Sequence, residues 1–303
     1  MNSTNDTTSG ETGGFGRPAP WIAVASGKGG TGKTSVAVSL ARAALRAGRR
    51  VQLVDADVEG PNAHHFLGLG EPETFPVEAM LPRIDPARCT LCGECASFCN
   101  YQALAVLGDR VMVFPDMCHG CEGCRVLCPV QAIENGSQEI GRIMHWRGDG
   151  FEAWQGRLHV GQVLSPTLIR ELHRRARESA PGYDLTIVDS PPGTSCPMMA
   201  AVRGANRLVL VTEPTPFGLH DLELAMAAVR RMKLPVEVIV NRSIGDDAAI
   251  DDLCRARAVP VIARFPEDRA VAAAYAEGRP MIEGGAEWAK QYDDLRRHLE
   301  VQC

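Results

Sequence analysis

The sequence predicts an α/β protein with a doubly wound, mostly parallel sheet, into which a smaller α+β unit is inserted. Short apolar runs that end in polar or acidic residues alternate with helical segments, which is typical of a parallel sheet covered on both faces. The second observation is a group of eight cysteines, out of eleven in the chain, between Cys89 and Cys128. We expect a disordered tail over 1–17, one domain over 18–82 and 137–303, and the insert over 83–136.

Composition limits the partners of the chain. It has 303 residues, 32 Lys and Arg against 37 Asp and Glu, and a net charge of −5, which argues against a nucleic-acid partner. No apolar run reaches the length of a membrane helix, and the first residues lack the charged-then-apolar order of a secretory signal. The amphipathic segment Ala286 to Val301 carries acidic residues on its polar face, so we do not expect membrane binding. We expect a cytoplasmic protein.

The stretch from Gly27 to Thr34 organises the rest of the chain. It follows the apolar run Trp21 to Ala25, precedes a helical segment and fits the pattern G-x-x-x-x-G-K-[ST]. In this pattern, backbone N–H groups surround phosphates, Lys33 reaches the β- and γ-phosphates, and the Thr34 hydroxyl binds Mg²⁺. The pattern predicts a nucleoside triphosphate with Mg²⁺, held by Gly27, Lys28, Gly29, Gly30, Thr31, Gly32, Lys33, Thr34 and Ser35.

Lys28, in the second position of this loop, gives the stretch a more specific resemblance. The loop resembles that of the deviant Walker A P-loop ATPases of the MinD/ParA superfamily, a SIMIBI-type group that includes Mrp-type iron-sulfur carriers and the nitrogenase iron protein. The resemblance implies ATP hydrolysis, with Lys28 reaching the nucleotide phosphates across an ATP-dependent homodimer. A solvated loop lysine is the alternative.

Two further strands end in aspartate, Val51 to Asp55 and Leu185 to Asp189. In open α/β sheets, ligands bind at the edge that the carboxyl ends of the strands form. By the resemblance, Asp57 orients the attacking water and is catalytic together with Lys28 and Lys33, while Asp55 and Asp189 support Mg²⁺. Carboxylates that cap the next helix remain the alternative.

The resemblance assigns three more nucleotide contacts. The N–H of Gly193 is implied at the γ-phosphate, and Asn241 is implied at the adenine edge, with Arg242 beside it. An Asn that makes a turn at the strand end is the alternative. The segment from Phe265 to Asp268 is expected to line the adenine side of the pocket.

The cysteines form two blocks with identical spacing, C-x2-C-x2-C-x3-C, and the second block begins 19 residues after the first ends. Each block resembles those of bacterial two-cluster ferredoxins, in which the fourth cysteine ligates the other cluster. The resemblance implies two 4Fe-4S clusters and a short hairpin in the spacer from Tyr101 to Phe114; two zinc sites are the alternative. Cluster one takes Cys89, Cys92, Cys95 and Cys128, and cluster two takes Cys118, Cys121, Cys124 and Cys99.

Three segments complete the expected organisation. Residues 71–86, rich in Pro and Glu, indicate a linker. Strands over 138–146 and 151–160 lead back to the main sheet, and Ser165 caps a helix that runs to Glu178.

The joint pattern resembles MinD-superfamily ATPases with an inserted ferredoxin domain. It favours an ATP-hydrolysing switch that controls electron transfer from two 4Fe-4S clusters to a redox or metallocluster partner of unknown identity. An iron-sulfur or metallocluster assembly or scaffold ATPase is the alternative, and a MinD-like positioning protein is a third reading.

Overall fold

The computed structural model describes residues 19–301, so the predicted disordered tail over 1–17 lies outside the described residues. The strands are β1 Trp21–Ala25, β2 Val51–Asp55, β3 Glu73–Ile84, β4 Leu104–Leu107, β5 Arg110–Val113, β6 Ile133–Gly148, β7 Phe151–Leu158, β8 Leu185–Asp189, β9 Arg207–Thr212, β10 Val236–Ser243 and β11 Val261–Pro266. The α-helices are α1 Lys33–Arg46, α2 Glu94–Phe98, α3 Gly123–Leu127, α4 Ser165–Ser179, α5 Cys196–Val202, α6 Pro216–Val229, α7 Ala248–Ala256, α8 Arg269–Ala276 and α9 Ala286–Val301.

Nine strands of the described chain form one sheet, in the order β11-β10-β9-β1-β8-β2-β7-β6-β3. The strands from β11 to β7 are all parallel, and β6 and β3 are added antiparallel at one edge. The predicted α/β class with a mostly parallel sheet is therefore confirmed. Because β2 and β8 are neighbours in register, Asp55 lies directly beside Asp189 at the carboxyl edge.

Helices cover both faces of the sheet, as buried parallel strands require. Helices α4, α5, α6 and α7 pack on one face. Helices α1, α8 and α9 pack on the other, where Tyr292 of α9 is fully buried. The predicted C-terminal helix therefore docks on the domain. Among residues 19–301, no helix has both the length and the apolar character needed to cross a bilayer.

The segment predicted as a linker over 71–86 is a strand, so that prediction was wrong. Strand β3 pairs antiparallel with β6 from Glu73 opposite His145 to Ile84 opposite Ile133. We call this pair of strands the ribbon. The two strands expected over 138–146 and 151–160 are confirmed as β6 and β7, although β6 begins earlier, at Ile133. The expected domain boundaries fall inside the ribbon, and the domain division itself stays a prediction.

The chain between the two ribbon strands, residues 85–132, forms a small unit that we call the insert. It contains α2, the hairpin of β4 and β5, and α3. The hairpin expected between Tyr101 and Phe114 is thus present. Its buried residues Leu104 and Cys124 form one cluster with Ile133 at the start of β6, and partly buried cysteines pack around this cluster.

Helix α4 begins at the expected serine but is capped differently. The residue before the helix is Leu164, and no side chain caps it. Instead, the Ser165 hydroxyl donates a hydrogen bond to Glu59 Oε1 at 2.6 Å. The predicted capping role of Ser165 was therefore wrong: its hydroxyl ties α4 to the loop that follows β2.

Candidate nucleotide site and cysteine insert

The loop before α1 has the backbone shape of an anion-binding turn. Gly30 and Gly32 have positive φ angles of 82° and 90°, and α1 begins immediately after Gly32, at Lys33. A Cβ on Gly32 would lie 2.3 Å from Asn241 Nδ2, so only glycine fits there. The loop thereby directs the N-terminus of α1 toward the carboxyl edge of the sheet, where it favours negative charge.

A cleft of about 410 Å³ opens in front of this loop. The loop and Asp57 line this cleft together with apolar and aromatic side chains that the sequence did not indicate as site residues. These are Val271, Tyr275, Met281 and Trp288. Predicted site residues that line the cleft are Gly29, Gly30, Gly32, Lys33, Thr34, Ser35, Asp57, Asn241 and Arg242.

The expected adenine-side segment is only partly at the cleft. Pro266, Glu267 and Asp268 line it. Phe265 is fully buried and stacks on Tyr292 and Trp288 in the core, so its expected role as a lining residue was wrong.

Lys33 lies among carboxylates at the bottom of the cleft. Its Nζ is 2.7 Å from Asp57 Oδ2 and 4.0 Å from Asp189 Oδ1. Burial opposes the charge on Lys33, but the carboxylates of Asp189 and Asp57 outweigh it and raise the pKa of the ammonium. Lys33 is therefore a permanent cation facing the cleft.

Asp189 has the buried oxygens that a metal-bound water would satisfy. It is fully buried, and within residues 19–301 neither carboxylate oxygen accepts a hydrogen bond. Its nearest cation is Lys33, whose Nζ lies 4.0 Å from Oδ1. Burial raises the pKa of Asp189, and the nearby Lys33 and Thr34 only partly offset this. An unsatisfied buried carboxylate is costly unless a cation compensates it, so this residue fits the chemistry of a Mg²⁺ site.

Asp55 is engaged differently. Its Oδ2 accepts hydrogen bonds from the backbone N–H groups of Asn62 and Ala63, both at 3.0 Å, and its Oδ1 accepts one from Asp57 at 3.2 Å. Burial and the adjacent Asp189 raise the pKa of Asp55. Asp55 therefore also holds the loop after β2 in place.

Asn241 joins the phosphate loop to the end of β10 at the cleft. Its Nδ2 donates to the Thr31 carbonyl at 2.8 Å, while its buried Oδ1 has no hydrogen-bond partner among the described residues. The N–H of Gly193 donates to the Ser26 carbonyl at 2.9 Å. A γ-phosphate could use this donor only after Gly193 leaves Ser26.

Two predicted cations meet at one carboxylate. Lys28 Nζ is 2.5 Å from Glu213 Oε1, and Arg242 Nη1 is 3.1 Å from Glu213 Oε2. Lys28 does not belong to the described cleft lining, although its neighbour Gly29 does. Gly27 packs on the backbone of Asp221 in α6. Glu213 was missed in the sequence, although its place directly after β9, at the same edge as Asp55 and Asp189, was a usable signal.

The insert brings the cysteines together in the crossed arrangement that the resemblance implies. Cys89, Cys92, Cys95 and Cys128 line one small pocket. Cys118 lies near Cys99 and Cys121, and Cys124 lies near Cys118 and Cys121 and also near Cys95 of the first set. The fourth cysteine of each block therefore lies with the first cysteines of the other.

The two cysteine blocks also repeat the same backbone conformation. Positive φ angles occur at equivalent positions, 29 residues apart: Leu91 and Gly120, Gly93 and Glu122, and Gln102 and Gln131. Left-handed conformations at bulky residues are rare and are retained where the surroundings require them. In the second block, backbone N–H groups also approach two sulfurs: Gly120 N donates to Cys118 Sγ at 3.4 Å, and Ala132 N donates to Cys128 Sγ at 3.2 Å.

Within residues 19–301, no group of three or more His, Cys, Asp or Glu is close enough to hold a single metal ion. A four-iron cluster is a different test, because its thiolates bind separate iron atoms and stand further apart. The all-cysteine donor sets and the N–H donors to sulfur fit such a group. Burial raises the pKa of Cys95, Cys118 and Cys124, that of Cys124 to about 11, so iron binding would have to displace their protons.

Comparison with known proteins gives the family. Residues 22–281 match the model of the "CobQ/CobB/MinD/ParA nucleotide binding domain". The chain is 26% identical over 283 residues to the uncharacterized protein MJ0579 of Methanocaldococcus jannaschii, covering 92% of this chain and 94% of that protein. It is 31% identical over 227 residues to the iron-sulfur cluster carrier protein of Deinococcus radiodurans, covering 73% of this chain but 48% of that protein.

Among solved structures, the fold is similar to that of the cell division ATPase MinD of Pyrococcus furiosus. The TM-score is 0.59 at 22% identity, and the match covers 94% of this chain and 100% of MinD. This likeness concerns the fold. Together with the family match over residues 22–281 and the geometry of the phosphate loop, it establishes that the chain belongs to the CobQ/CobB/MinD/ParA nucleotide-binding family and carries a P-loop ATPase domain of the MinD/ParA type.

Proposed function

We propose that this protein is an ATP-hydrolysing switch that controls electron transfer from two 4Fe-4S clusters in its insert to a redox or metallocluster-containing partner. The observation that carries the proposal is the position of the insert. The cysteines sit at the end of a ribbon whose base touches the segment that leaves the nucleotide site.

The nucleotide half supports the first part of this proposal. Lys33 and the N-terminus of α1 would bind the β- and γ-phosphates, and Thr34 and the buried, unsatisfied Asp189 would hold Mg²⁺ through oxygen ligands. The free Oδ1 of Asn241 would accept a hydrogen bond from the adenine amino group. Asp57 would orient the attacking water once phosphate draws Lys33 away from it.

A continuous set of contacts joins this site to the ribbon. Asp55 accepts the N–H of Ala63, the first residue of a short 3-10 helix, Ala63–Phe66. On one side of that helix, Phe66 packs on Tyr275 of the cleft wall, with ring centroids 4.6 Å apart. On the other side, His64 stacks over Trp146 of β6, with centroids 6.1 Å apart. A movement of the loop at the phosphate would therefore be felt at the ribbon.

The insert supports the second part. Cys89, Cys92, Cys95 and Cys128 would bind one 4Fe-4S cluster, and Cys118, Cys121, Cys124 and Cys99 the other. When reduced, such clusters supply single electrons. An oxidised acceptor in the partner would be reduced, and a low-potential electron donor would restore the reduced state. A homodimer formed in the presence of ATP, with Lys28 contacting the nucleotide of the second copy, belongs to the same proposal.

The test is stopped-flow reduction of a candidate acceptor by the anaerobically reconstituted, reduced protein. We expect faster transfer with ATP than with ADP, and loss of this difference in the Asp57→Asn variant. The matched control is Asp294→Asn, which changes an exposed carboxylate paired with Lys290 in α9 and should leave the difference intact. Equal rates with ATP and ADP in the unchanged protein would contradict nucleotide control.

A second candidate, an assembly or scaffold ATPase that delivers a cluster to an apo-target, is favoured by the relatives named iron-sulfur cluster carrier proteins. It predicts that iron moves from the protein to an apo-acceptor during ATP turnover. Retention of all the iron under turnover would exclude delivery. The third candidate, a MinD-like positioning protein, predicts ATP-dependent pelleting with anionic liposomes.

A further inference from the structure

Glu213 is a carboxylate that the proposed chemistry does not use, yet it holds two of the cations assigned to the nucleotide. It follows β9 directly, and each of its oxygens contacts a different cation, Lys28 at 2.5 Å and Arg242 at 3.1 Å. Its side chain is only 13% exposed. The Lys28 and Arg242 side chains are 30% and 54% exposed, so solvent partly screens both ion pairs although the carboxylate itself is nearly buried.

The turn that carries Glu213 is built closely around it. The Thr215 N–H donates to the Glu213 carbonyl at 2.8 Å, and the Thr215 hydroxyl accepts from Gly218 N at 3.0 Å. A Cβ on Gly218 would lie 2.3 Å from the Glu213 carbonyl oxygen and 3.1 Å from its Cγ. Because the first turn of α6 packs against it, Glu213 is held in one place before any nucleotide arrives.

The same contact holds the Lys28 ammonium at Glu213, outside the lining of the cleft described above. The Ser26 hydroxyl donates to the Lys28 carbonyl at 2.6 Å, and the ammonium points to Glu213. Arg242, the second cation, has a left-handed backbone, φ 54°, which is uncommon for arginine. One carboxylate therefore ties the phosphate loop to the strand end that carries Asn241.

We infer that Glu213 is a positioning residue of the ATPase reaction, which holds Lys28 in the single chain, beside its second ion pair with Arg242, and releases Lys28 to the nucleotide phosphates of a second copy. This inference rests on the proposed role of Lys28 in an ATP-dependent dimer. Phosphate competes with Glu213 for the Lys28 ammonium. The strength of the Lys28–Glu213 ion pair therefore sets the concentration of ATP-bound protein at which Lys28 leaves Glu213 and binds the nucleotide of the second copy.

The test compares Glu213→Gln, Lys28→Ala and the double variant, with Glu223→Gln as the matched control. Glu223 lies on the same helix, α6, and forms an exposed ion pair with Arg257. The measurements are ATPase rate against protein concentration, and sedimentation with ATP or ADP. Thermal unfolding and ADP affinity verify that each variant is folded.

We expect Glu213→Gln to lower the protein concentration that gives half-maximal activity by roughly three- to tenfold, because Lys28 no longer has to leave a carboxylate. Glu223→Gln should leave this concentration unchanged. In the Lys28→Ala background, Glu213→Gln should have no further effect, since the residue it acts through is gone.

An unchanged or higher half-maximal concentration in folded Glu213→Gln, with Lys28→Ala inactive, would overturn the inference and leave the proposed dimer in place. Normal assembly and hydrolysis by Lys28→Ala would instead overturn the proposed role of Lys28. If Glu213→Gln does not fold, Glu213→Asp replaces it: a shorter carboxylate should weaken the contact and lower the concentration by a smaller factor, and no change would count against the inference.

Discussion

The two halves of this molecule place their functional groups by different means. In the ATPase half, the cleft residues stand on a sheet buried between two layers of helices, and their side chains already have defined partners. In the insert, Leu104 and Cys124 form a buried cluster with Ile133 of the ribbon, and three of the partly buried residues around it are again cysteines. Large exposed apolar residues are concentrated there, namely Phe98, Tyr101, Leu107, Phe114, Met117, Val126, Leu127 and Val130.

The difference teaches that the cleft is organised without its ligand, whereas the insert is expected to depend on the proposed clusters for its stability. A unit with so little buried apolar surface is expected to require metal, disulfides or a partner for stability. Its cysteines occupy the positions where a larger domain would place leucine or valine. The proposed clusters would thus serve as the core of the insert as well as its electron carriers.

The largest effect should come from removing the ligands of one proposed cluster. Cys124→Ala is expected to lower the iron content of the reconstituted protein from about eight to about four per chain. Protection of the insert's amides from hydrogen exchange should fall by roughly a hundredfold or more. Cys254→Ala changes another buried thiol, in α7, and should change neither quantity. Full protection of the insert without iron would contradict the comparison.

The reverse experiment addresses the ATPase half. Leu172 of α4 is fully buried against the sheet, so Leu172→Ala should lower the free energy of unfolding by about 3 kcal/mol through lost apolar contact and a cavity. Urea unfolding followed by far-UV circular dichroism measures this. Iron content per folded chain should not change; a parallel loss of iron would mean that the two halves are not separately stabilised.

A smaller effect is expected at the base of the ribbon, where Glu152 of β7 is buried. Burial opposes its charge, but hydrogen bonds from His145, Gln52 and Ser179 outweigh burial and lower the pKa of Glu152 to about 2. Since this folded-state pKa lies below the usual value, the stabilisation is present above about pH 4.5 and is lost as the pH falls toward 2.

Glu152→Gln should therefore cost about 2 kcal/mol of unfolding free energy at pH 7, and the deficit should shrink as the solution is acidified below pH 4.5. Urea titrations at a series of pH values provide the measurement. Glu287→Gln, at an exposed position of α9, serves as control. A deficit of constant size at every pH would show that the lost contacts are not those of the charged form.

The smallest expected effect on stability is at Trp146 of β6, where the ribbon contacts the segment that follows β2. Trp146 Nε1 donates to the Gly70 carbonyl at 2.7 Å, and Trp146→Phe removes this bond at a cost of about 1 kcal/mol. The informative readout is the difference in cluster reduction potential between the ATP-bound and ADP-bound protein, which should become smaller. Trp21→Phe, on β1 and away from the ribbon, should leave it unchanged. If Trp146→Phe keeps the same difference in reduction potential between the ATP-bound and ADP-bound protein, the Trp146–Gly70 hydrogen bond does not couple the nucleotide site to the insert.

Sequence patterns located what is encoded locally. The phosphate loop and the strand ends at Asp55 and Asp189 could be predicted because apolar runs, glycines and acidic residues stand next to one another in the chain. The assignment of the thiols to two crossed sets came instead from the resemblance to two-cluster ferredoxins. Their arrangement in the structure agrees with the crossed sets, while iron binding itself stays a prediction.

What the sequence did not reveal depends on distant partners. Strand β3 contains Pro76 and Pro82, which favour a linker, yet an edge strand tolerates proline because one side of it needs no hydrogen bonds. Its partner in β6 lies far along the chain, with Pro76 opposite Arg142. In the same way, nothing near Lys28 indicates Glu213, because only the fold brings β9 beside the phosphate loop.

The antiparallel pairing of Ile84 with Ile133 has an evolutionary consequence. The chain departs from the sheet and returns to it at adjacent points, so a gene could gain or lose the intervening segment without shifting the register of a single strand. A short turn between these two isoleucines should yield a nucleotide-binding protein with no cysteine blocks. Such a protein would need only one recombination event to acquire the segment that carries the cysteine blocks.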